Sequence, residues 1–153
     1  MSRYKFYDVI DLSKYIITRC TDSDTPITNL QLQHILYLIQ KAFLKKDEYA
    51  FVEGIEAWSF GPAVPKAYYR FCGYGVMPIS ERYHVSKIDE RDRLLIDRII
   101  EKETKMRPWE LLRKVRAEGG AWAQIYNNGK GFRKVIPSGL IKKEGKEYIY
   151  GSD

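Results

Sequence analysis

The clearest pattern along the chain is a stretch at 27–44 whose apolar positions follow the helical repeat. Thr28 is placed to cap the start of this helix, and Gln31, three residues later, completes a capping box. Apolar residues occur on nearly every side of the helix, which is typical of a helix buried inside a domain. The polar residues among them make the stretch too polar to cross a membrane. The pattern therefore predicts a central core helix over 27–45.

Shorter apolar repeats predict further helices on both sides of this one. Their expected starts are Tyr7, Pro65, Asp89 (or Ser86), Pro108 and Ala121. Proline suits the first turn of a helix because its missing N–H has no helical partner there. Together these elements predict a mainly α fold, a compact single-domain helical bundle around the buried central helix (27–45).

The tail at 140–150 fits two structures. It forms either a short C-terminal β-hairpin that turns at Glu144 and Gly145, or a last helix with a frayed end. We favour the hairpin. No internal repeat, low-complexity segment or long linker divides the chain, so we expect one domain over 1–153 without a separate DNA-binding module.

Composition narrows the class of protein. The chain has 153 residues, 44% of them hydrophobic and 30% charged, which is usual for a globular domain. No apolar signal peptide is visible at the start, so we expect a cytoplasmic protein. Cys20 and Cys72 lack metal-binding spacing and are expected to be free thiols. The net charge of +6 gives only weak support for an acidic partner or nucleic acid.

Catalytic motifs are absent from the sequence. His34 and His84 lie in no metal-binding or nucleophile motif, and no phosphate-binding loop is present. Glu53 and Glu56 could form an acid/base pair on folding, but we favour the plainer interpretation of two solvated carboxylates that flank a loop. We interpret His34 as a hydrogen-bonded structural residue, and we expect no enzymatic activity, no metal and no cofactor.

A basic stretch near the C-terminus offers an alternative function. Basic side chains interleaved with aromatic ones can bind single-stranded nucleic acid through phosphate contacts and stacking. The candidate nucleic-acid-binding residues are Lys130, Arg133, Lys134, Lys142 and Lys143, with Tyr126, Phe132, Tyr148 and Tyr150 among or beside them. Two glutamates interrupt the run, and a solvated terminal face is the plainer interpretation.

The most unusual stretch is WSFGPAVPKAYYRF at 58–71. Trp58, Tyr68 and Tyr69 gather around two prolines that keep the backbone extended. Tryptophan and tyrosine often anchor protein–protein interfaces, although they are also common core residues. Tyr68 and Tyr69 lie about a quarter of a helical turn apart, so one of them can be exposed while the other is buried.

Three blocks of the sequence resemble the Panacea-domain family of SocA-like antitoxins, which includes phage-associated proteins. They are DTPITNLQLQHILYLIQKAFL (24–44), GIEAWSFGPAVPKAYYRF (54–71) and VRAEGGAW (115–122). The second block is the specific one, with a tryptophan, Gly-Pro, a second proline and a tyrosine at family spacing. In the third, Arg116 stands where the family usually has histidine and Ala121 where it has proline, while Glu118 and Trp122 are retained.

The resemblance implies an antitoxin that neutralises a cognate toxin by direct protein binding, or an adaptor that delivers the toxin to a bacterial protease. A phage or prophage regulatory protein is the alternative. The candidate partner-binding residues are Glu56, Trp58, Tyr68, Tyr69, Arg116, Glu118 and Trp122. Because the chain is basic, we also consider Asp47, Glu48, Glu53 and Glu56 as an acidic contact face for a basic toxin.

Overall fold

The central helix is present where the sequence predicts it. The computed structural model describes residues 6–85 and 87–147, and helix α2 runs over Asn29–Lys45. The Thr28 side chain accepts a hydrogen bond from the Gln31 backbone N–H, and the Gln31 side chain accepts one from the Thr28 N–H, which confirms the capping box. The large side chains at the centre of α2 are completely buried. This helix forms the middle of the core.

Six further helices surround α2 within the described residues. They are α1 (Val9–Asp22), α3 (Pro65–Arg70), α4 (Glu90–Thr104), α5 (Pro108–Val115), α6 (Ala121–Tyr126) and α7 (Ser138–Lys146). Pro65 and Pro108 occupy the first turns of α3 and α5, and the Asp89 side chain caps α4. Ser86 lies outside the described residues. The prediction of a mainly α fold is confirmed.

A small sheet lies between α2 and α3, in the stretch whose two prolines are expected to keep the backbone extended. Strands β1 (Glu56–Trp58) and β2 (Gly61–Ala63) pair antiparallel, with Trp58 opposite Gly61. The segment 133–136 lies along the other edge of β1. The Arg133 N–H donates to the Ala57 carbonyl at 2.7 Å, and the Ala57 N–H donates to the Lys134 carbonyl at 2.8 Å. A distant part of the chain is thereby fixed beside β1.

Polar side chains on α2 are buried and hold the neighbouring loops. Gln40 accepts a hydrogen bond from the Ala50 N–H at 2.8 Å and donates to the Phe51 carbonyl at 2.7 Å. Gln33 accepts from the Val64 N–H at 2.8 Å. Buried backbone groups in loops need such partners because water cannot reach them. These glutamines explain why α2 carries polar residues on faces that are otherwise apolar.

The predicted C-terminal hairpin is wrong. Residues 138–146 form helix α7, and both Glu144 and Gly145 lie within it. The helix packs against α2 so closely that a Cβ at Gly145 would lie 3.1 Å from Lys41 Cγ. The tertiary contact with α2, rather than local propensity, selects the helix. Tyr148 and Tyr150 lie outside the described residues.

One buried carboxylate ties three helices together. Glu144 on α7 is only 3% exposed and accepts hydrogen bonds from the Tyr37 hydroxyl at 2.9 Å and the Lys41 ammonium at 3.0 Å, both on α2. Its other oxygen accepts from the Ala121 N–H at the start of α6, at 2.8 Å. A buried charge is tolerated only with such partners. Glu144 therefore fixes α6 and α7 on the central helix.

Within the described part of the chain, no helix is both long and apolar enough to cross a membrane. Cys20 is buried and Cys72 is exposed, and both are free thiols, as expected.

Replacing Gly120 with alanine should destabilise the fold. The added Cβ would lie 2.6 Å from Glu144 Oε1 and 3.0 Å from the Ala117 carbonyl oxygen. Because Glu144 is held by its hydrogen bonds, it cannot move aside without losing some of them. We expect Gly120→Ala to lower the free energy of unfolding by about 1–3 kcal/mol, measured by urea denaturation.

The matched control is Gly139→Ala in α7, where nothing lies within 4 Å of the new Cβ. Alanine is the better helix former, so this variant should be unchanged or slightly more stable. Equal stability of the two variants would contradict the close contact at Gly120.

Candidate partner-binding surface

The turn between β1 and β2 sets the position of two aromatic rings. Only Ser59 and Phe60 separate Trp58 from its opposite residue, Gly61. Gly61 has φ +133°, which favours glycine, and a Cβ there would lie 3.1 Å from His34 Nε2. The tight turn and the lack of a side chain at this glycine bring the strand pair close against α2.

Helix α3 is held beside this turn by a short chain of buried hydrogen bonds. The Asn29 side-chain amide donates to the Tyr68 carbonyl at 3.0 Å and accepts from the Gln33 amide at 3.0 Å. Gln33 in turn accepts from the Val64 N–H, just before Pro65 begins α3. Two side chains of the central helix thus hold α3 in place: Gln33 at the residue before its start, and Asn29 within it.

Four aromatic rings meet at this point. The Trp58 ring centroid lies 5.0 Å from that of Tyr68 and 5.7 Å from that of Phe60, and Tyr68 lies 5.7 Å from Tyr69. Trp58 is 7% exposed, whereas Tyr69 is 52% exposed. The expectation that one of the adjacent tyrosines is exposed is fulfilled by Tyr69, while Tyr68 is half-buried. The cluster therefore has a buried side, formed by Trp58, and a solvent-accessible side, formed by Tyr69.

Arg133 completes the cluster from the segment beside β1. Its guanidinium carbon lies 5.1 Å from the Trp58 ring centroid, and Nη2 donates to the Tyr69 hydroxyl at 2.9 Å. Glu56 accepts from the Trp58 indole N–H at 2.8 Å and lies 3.7 Å from Arg133 Nε. We refer to these four residues, together with Phe60 and Tyr68, as the aromatic surface: Glu56, Trp58, Phe60, Tyr68, Tyr69 and Arg133.

Sequence reasoning placed Arg133 in a different group. The sequence suggests Arg133 for nucleic-acid binding. In the structure, the hydrogen bonds between its segment and β1 place its side chain beside Trp58 and Tyr69, two of the partner-binding candidates. Its backbone φ is +68°, in the left-handed region that non-glycine residues seldom adopt. The sequence alone gives no sign of this contact because Arg133 is far from Trp58 along the chain.

The third sequence block lies directly behind the aromatic surface. Trp122 donates its indole N–H to the Trp58 carbonyl at 2.8 Å and stacks on Tyr126, with ring centroids 4.7 Å apart. The Arg116 guanidinium carbon lies 5.0 Å from the centroid of the Trp122 ring. Six of the seven candidate partner-binding residues are therefore joined by contacts. Glu118, the seventh, is exposed and makes no ion pair with a described residue.

The remaining basic candidates do not form one free patch. Lys130 and Lys134 are exposed, and along the chain they lie close to Arg133 of the aromatic surface. Lys142 forms an ion pair with Asp47, and Lys143 lies 3.8 Å from Glu147. With Arg133, which lies 3.7 Å from Glu56, three of the five side chains thus have part of their charge neutralised by carboxylates.

The four carboxylates considered as an acidic face are also paired. Asp47 contacts Lys142, Glu48 lies 3.5 Å from Lys46, Glu53 lies 3.4 Å from Lys66, and Glu56 contacts Arg133. Each charge is offset by a neighbouring cation. The acidic contact face stays a prediction, although each of its four carboxylates has a neighbouring cation.

Nor do the described residues contain a group of three or more histidine, cysteine, aspartate or glutamate side chains placed to hold a metal. Both contacts of Glu56, with the Trp58 indole N–H and with Arg133 Nε, are made by its Oε1 atom.

His34 lies under the turn and is 1% exposed. Its Nε2 atom has no hydrogen-bond partner at ordinary geometry among the described residues, so the expected structural hydrogen bond is not formed at that atom. Burial lowers the pKa of His34 from 6.5 to about 4; the backbone at Phe60 opposes this shift and the Arg116 charge adds to it. The imidazole is neutral at pH 7.

Comparison with known proteins gives two similarities. The family described as "Antitoxin SocA-like, Panacea domain" matches residues 32–123, a range that holds all seven candidate partner-binding residues. Antitoxin SocA of Caulobacter vibrioides (strain NA1000 / CB15N) is 29% identical over 133 residues, which cover 78% of this chain and 71% of that protein. No solved structure matches the chain.

The buried neutral histidine should make stability depend on pH. Because the pKa is about 4 in the folded state and about 6.5 in the unfolded state, the unfolded chain binds the extra proton between these values. Stability therefore falls as pH drops from 6.5 to 4, by about 3 kcal/mol from this residue. We measure the free energy of unfolding by denaturation at each pH. Between pH 6.5 and 4 it should fall further for the wild type than for His34→Gln, because only the wild type has this buried imidazole.

His84→Gln, at an exposed position, is the matched control and should follow the wild type. Parallel curves for the wild type and His34→Gln would show that His34 does not stay neutral.

Proposed function

We propose that this chain, which belongs to the Panacea-domain family of SocA-like antitoxins, neutralises a cognate toxin by binding it directly. The resemblance seen in three sequence blocks is confirmed by the family match and by the similarity to Antitoxin SocA. The observation that carries the proposal is that the second and third blocks meet in the structure. Trp122 donates to the Trp58 carbonyl, so residues far apart in sequence support one aromatic surface.

The aromatic surface has the composition of a binding centre. Tryptophan, tyrosine and arginine dominate the binding energy of most protein interfaces when they lie at the centre of a contact. Here Tyr69 and Arg133 present their side chains to solvent, while Trp58 beneath them is nearly buried. The hydrogen bond between Arg133 and Tyr69 holds both side chains in place before a partner arrives, which reduces the entropy lost on binding.

The charges around this surface favour an acidic contact on the toxin. Arg133 and Arg116 flank the aromatic rings, and the chain as a whole carries +6. Glu56 offsets only part of this charge. A toxin surface bearing carboxylates would be complementary to the arginines, and an interface of about 1,200–2,000 Å² is the usual size for such a complex.

The proposal has further parts. We place the protein in the bacterial cytoplasm and associate it with a phage or prophage. It acts as a single domain that masks the toxin, without enzymatic activity or a cofactor. Delivery of the toxin to a protease is the competing mechanism, and it predicts that the toxin disappears rather than accumulates in a complex.

Co-expression with the product of the adjacent gene tests the proposal. We expect that product to inhibit growth, this chain to restore growth, and the two proteins to purify as a stable complex. Growth rescue with loss of the toxin and no complex would refute masking. A harmless neighbour that does not bind would refute the toxin–antitoxin pairing itself.

Changes at the aromatic surface should weaken the complex. We expect Tyr69→Ala and Arg133→Ala each to lower toxin affinity about tenfold or more, because each removes an exposed side chain from the centre of the contact. Binding is measured by calorimetry or surface plasmon resonance, with unfolding curves to show that the fold is kept.

Val76→Ala is the matched control, since Val76 is an apolar side chain that is 89% exposed and lies outside the aromatic surface. Equal affinity of all three variants and the wild type would mean that the toxin binds elsewhere.

A further inference from the structure

A second candidate site lies between helices α2, α4, α5 and the end of α7. It is a cavity of about 300 Å³ that shares no residue with the aromatic surface. This volume is at the lower end of the range for small-molecule sites. The proposed function assigns no role to it.

The lining of this cavity is strongly basic. Six cationic side chains line it: Lys41, Lys45, Arg98, Lys102, Lys114 and Lys146. Only two carboxylates, Glu103 and Glu144, accompany them, and each accepts from a lysine at 3.0 Å. Within the described residues, Lys45 and Arg98 form no ion pair. An excess of positive charge in a concave site attracts anions more strongly than the same charge on a flat surface.

One buried oxygen of the lining has no hydrogen-bond partner. Glu103 is 3% exposed, and its Oε2 accepts from the Lys114 ammonium. Its Oε1 is buried and has no hydrogen-bond donor within the described residues. Leaving a buried carboxylate oxygen unsatisfied is unfavourable, so a ligand N–H placed there would be bound selectively.

Apolar side chains complete the lining. Leu38 and Ala42 of α2 and Ile99 of α4 face the same cavity. Such a floor suits a flat ring rather than a bare anion, which gains nothing from apolar contact. The site thus combines three features: cations, an unsatisfied acceptor and an apolar floor.

We propose that this cavity binds a nucleoside phosphate. The phosphate groups contact Arg98 and Lys45, the base packs on Ile99, and an amino or ring N–H of the base donates to Glu103 Oε1. This assignment is independent of toxin binding.

Calorimetric titration of the full chain with ATP at low salt tests the site. We expect saturable binding, weakened about tenfold or more by Arg98→Glu. Arg70→Glu makes the same charge change at an exposed position outside the cavity and should bind like the wild type. Equal weakening by both variants would overturn the assignment, because it would show attraction to overall charge alone.

Two further measurements distinguish binding in the cavity from nonspecific binding of ATP to the protein surface. Ala42→Phe fills the cavity without changing any charge, so it should abolish ATP binding; retained binding would overturn the proposal. Tripolyphosphate supplies the phosphates without a base and should bind more weakly than ATP. Equal affinity for the two, or no ATP binding in the wild type, would also overturn it.

Discussion

Buried amide side chains on the central helix are the constraint on which the rest of this structure depends. Asn29, Gln33 and Gln40 lie on α2 at positions that face the core, and each bonds to backbone of a neighbouring segment. A buried loop backbone without such partners would cost about 1–3 kcal/mol for each unsatisfied group. The helix therefore serves as both the hydrophobic centre and the template for the non-helical parts.

The aromatic surface is held rigid by hydrogen bonds from these amide side chains of α2. The turn into α3 is fixed at Val64 by Gln33 and at Tyr68 by Asn29, so the rings on either side cannot shift independently. Trp122 adds a second support through its hydrogen bond to the Trp58 carbonyl. Supports of this kind, which lie behind the exposed side chains, hold a recognition surface in one geometry.

Local features of the fold were predictable from sequence, and long-range ones were not. Thr28 with Gln31, and Pro65 at the start of a helix, act within a few residues and were predicted correctly. The tail was predicted incorrectly because Glu144 and Gly145 look like turn residues, although in the structure they contact Tyr37 and Lys41 of α2. The family blocks predicted Trp58 and Tyr69 as candidates, but nothing in the sequence linked Arg133 to them.

Arg133 has a left-handed backbone, and this sets two properties of the protein against each other. A left-handed conformation costs a non-glycine residue of the order of 1–2 kcal/mol, and glycine would avoid that cost. Glycine would also remove the guanidinium from Trp58 and Tyr69. Selection for a more stable chain and selection for a more complete contact surface would thus favour different residues at this one position, as in other proteins where function is maintained against stability.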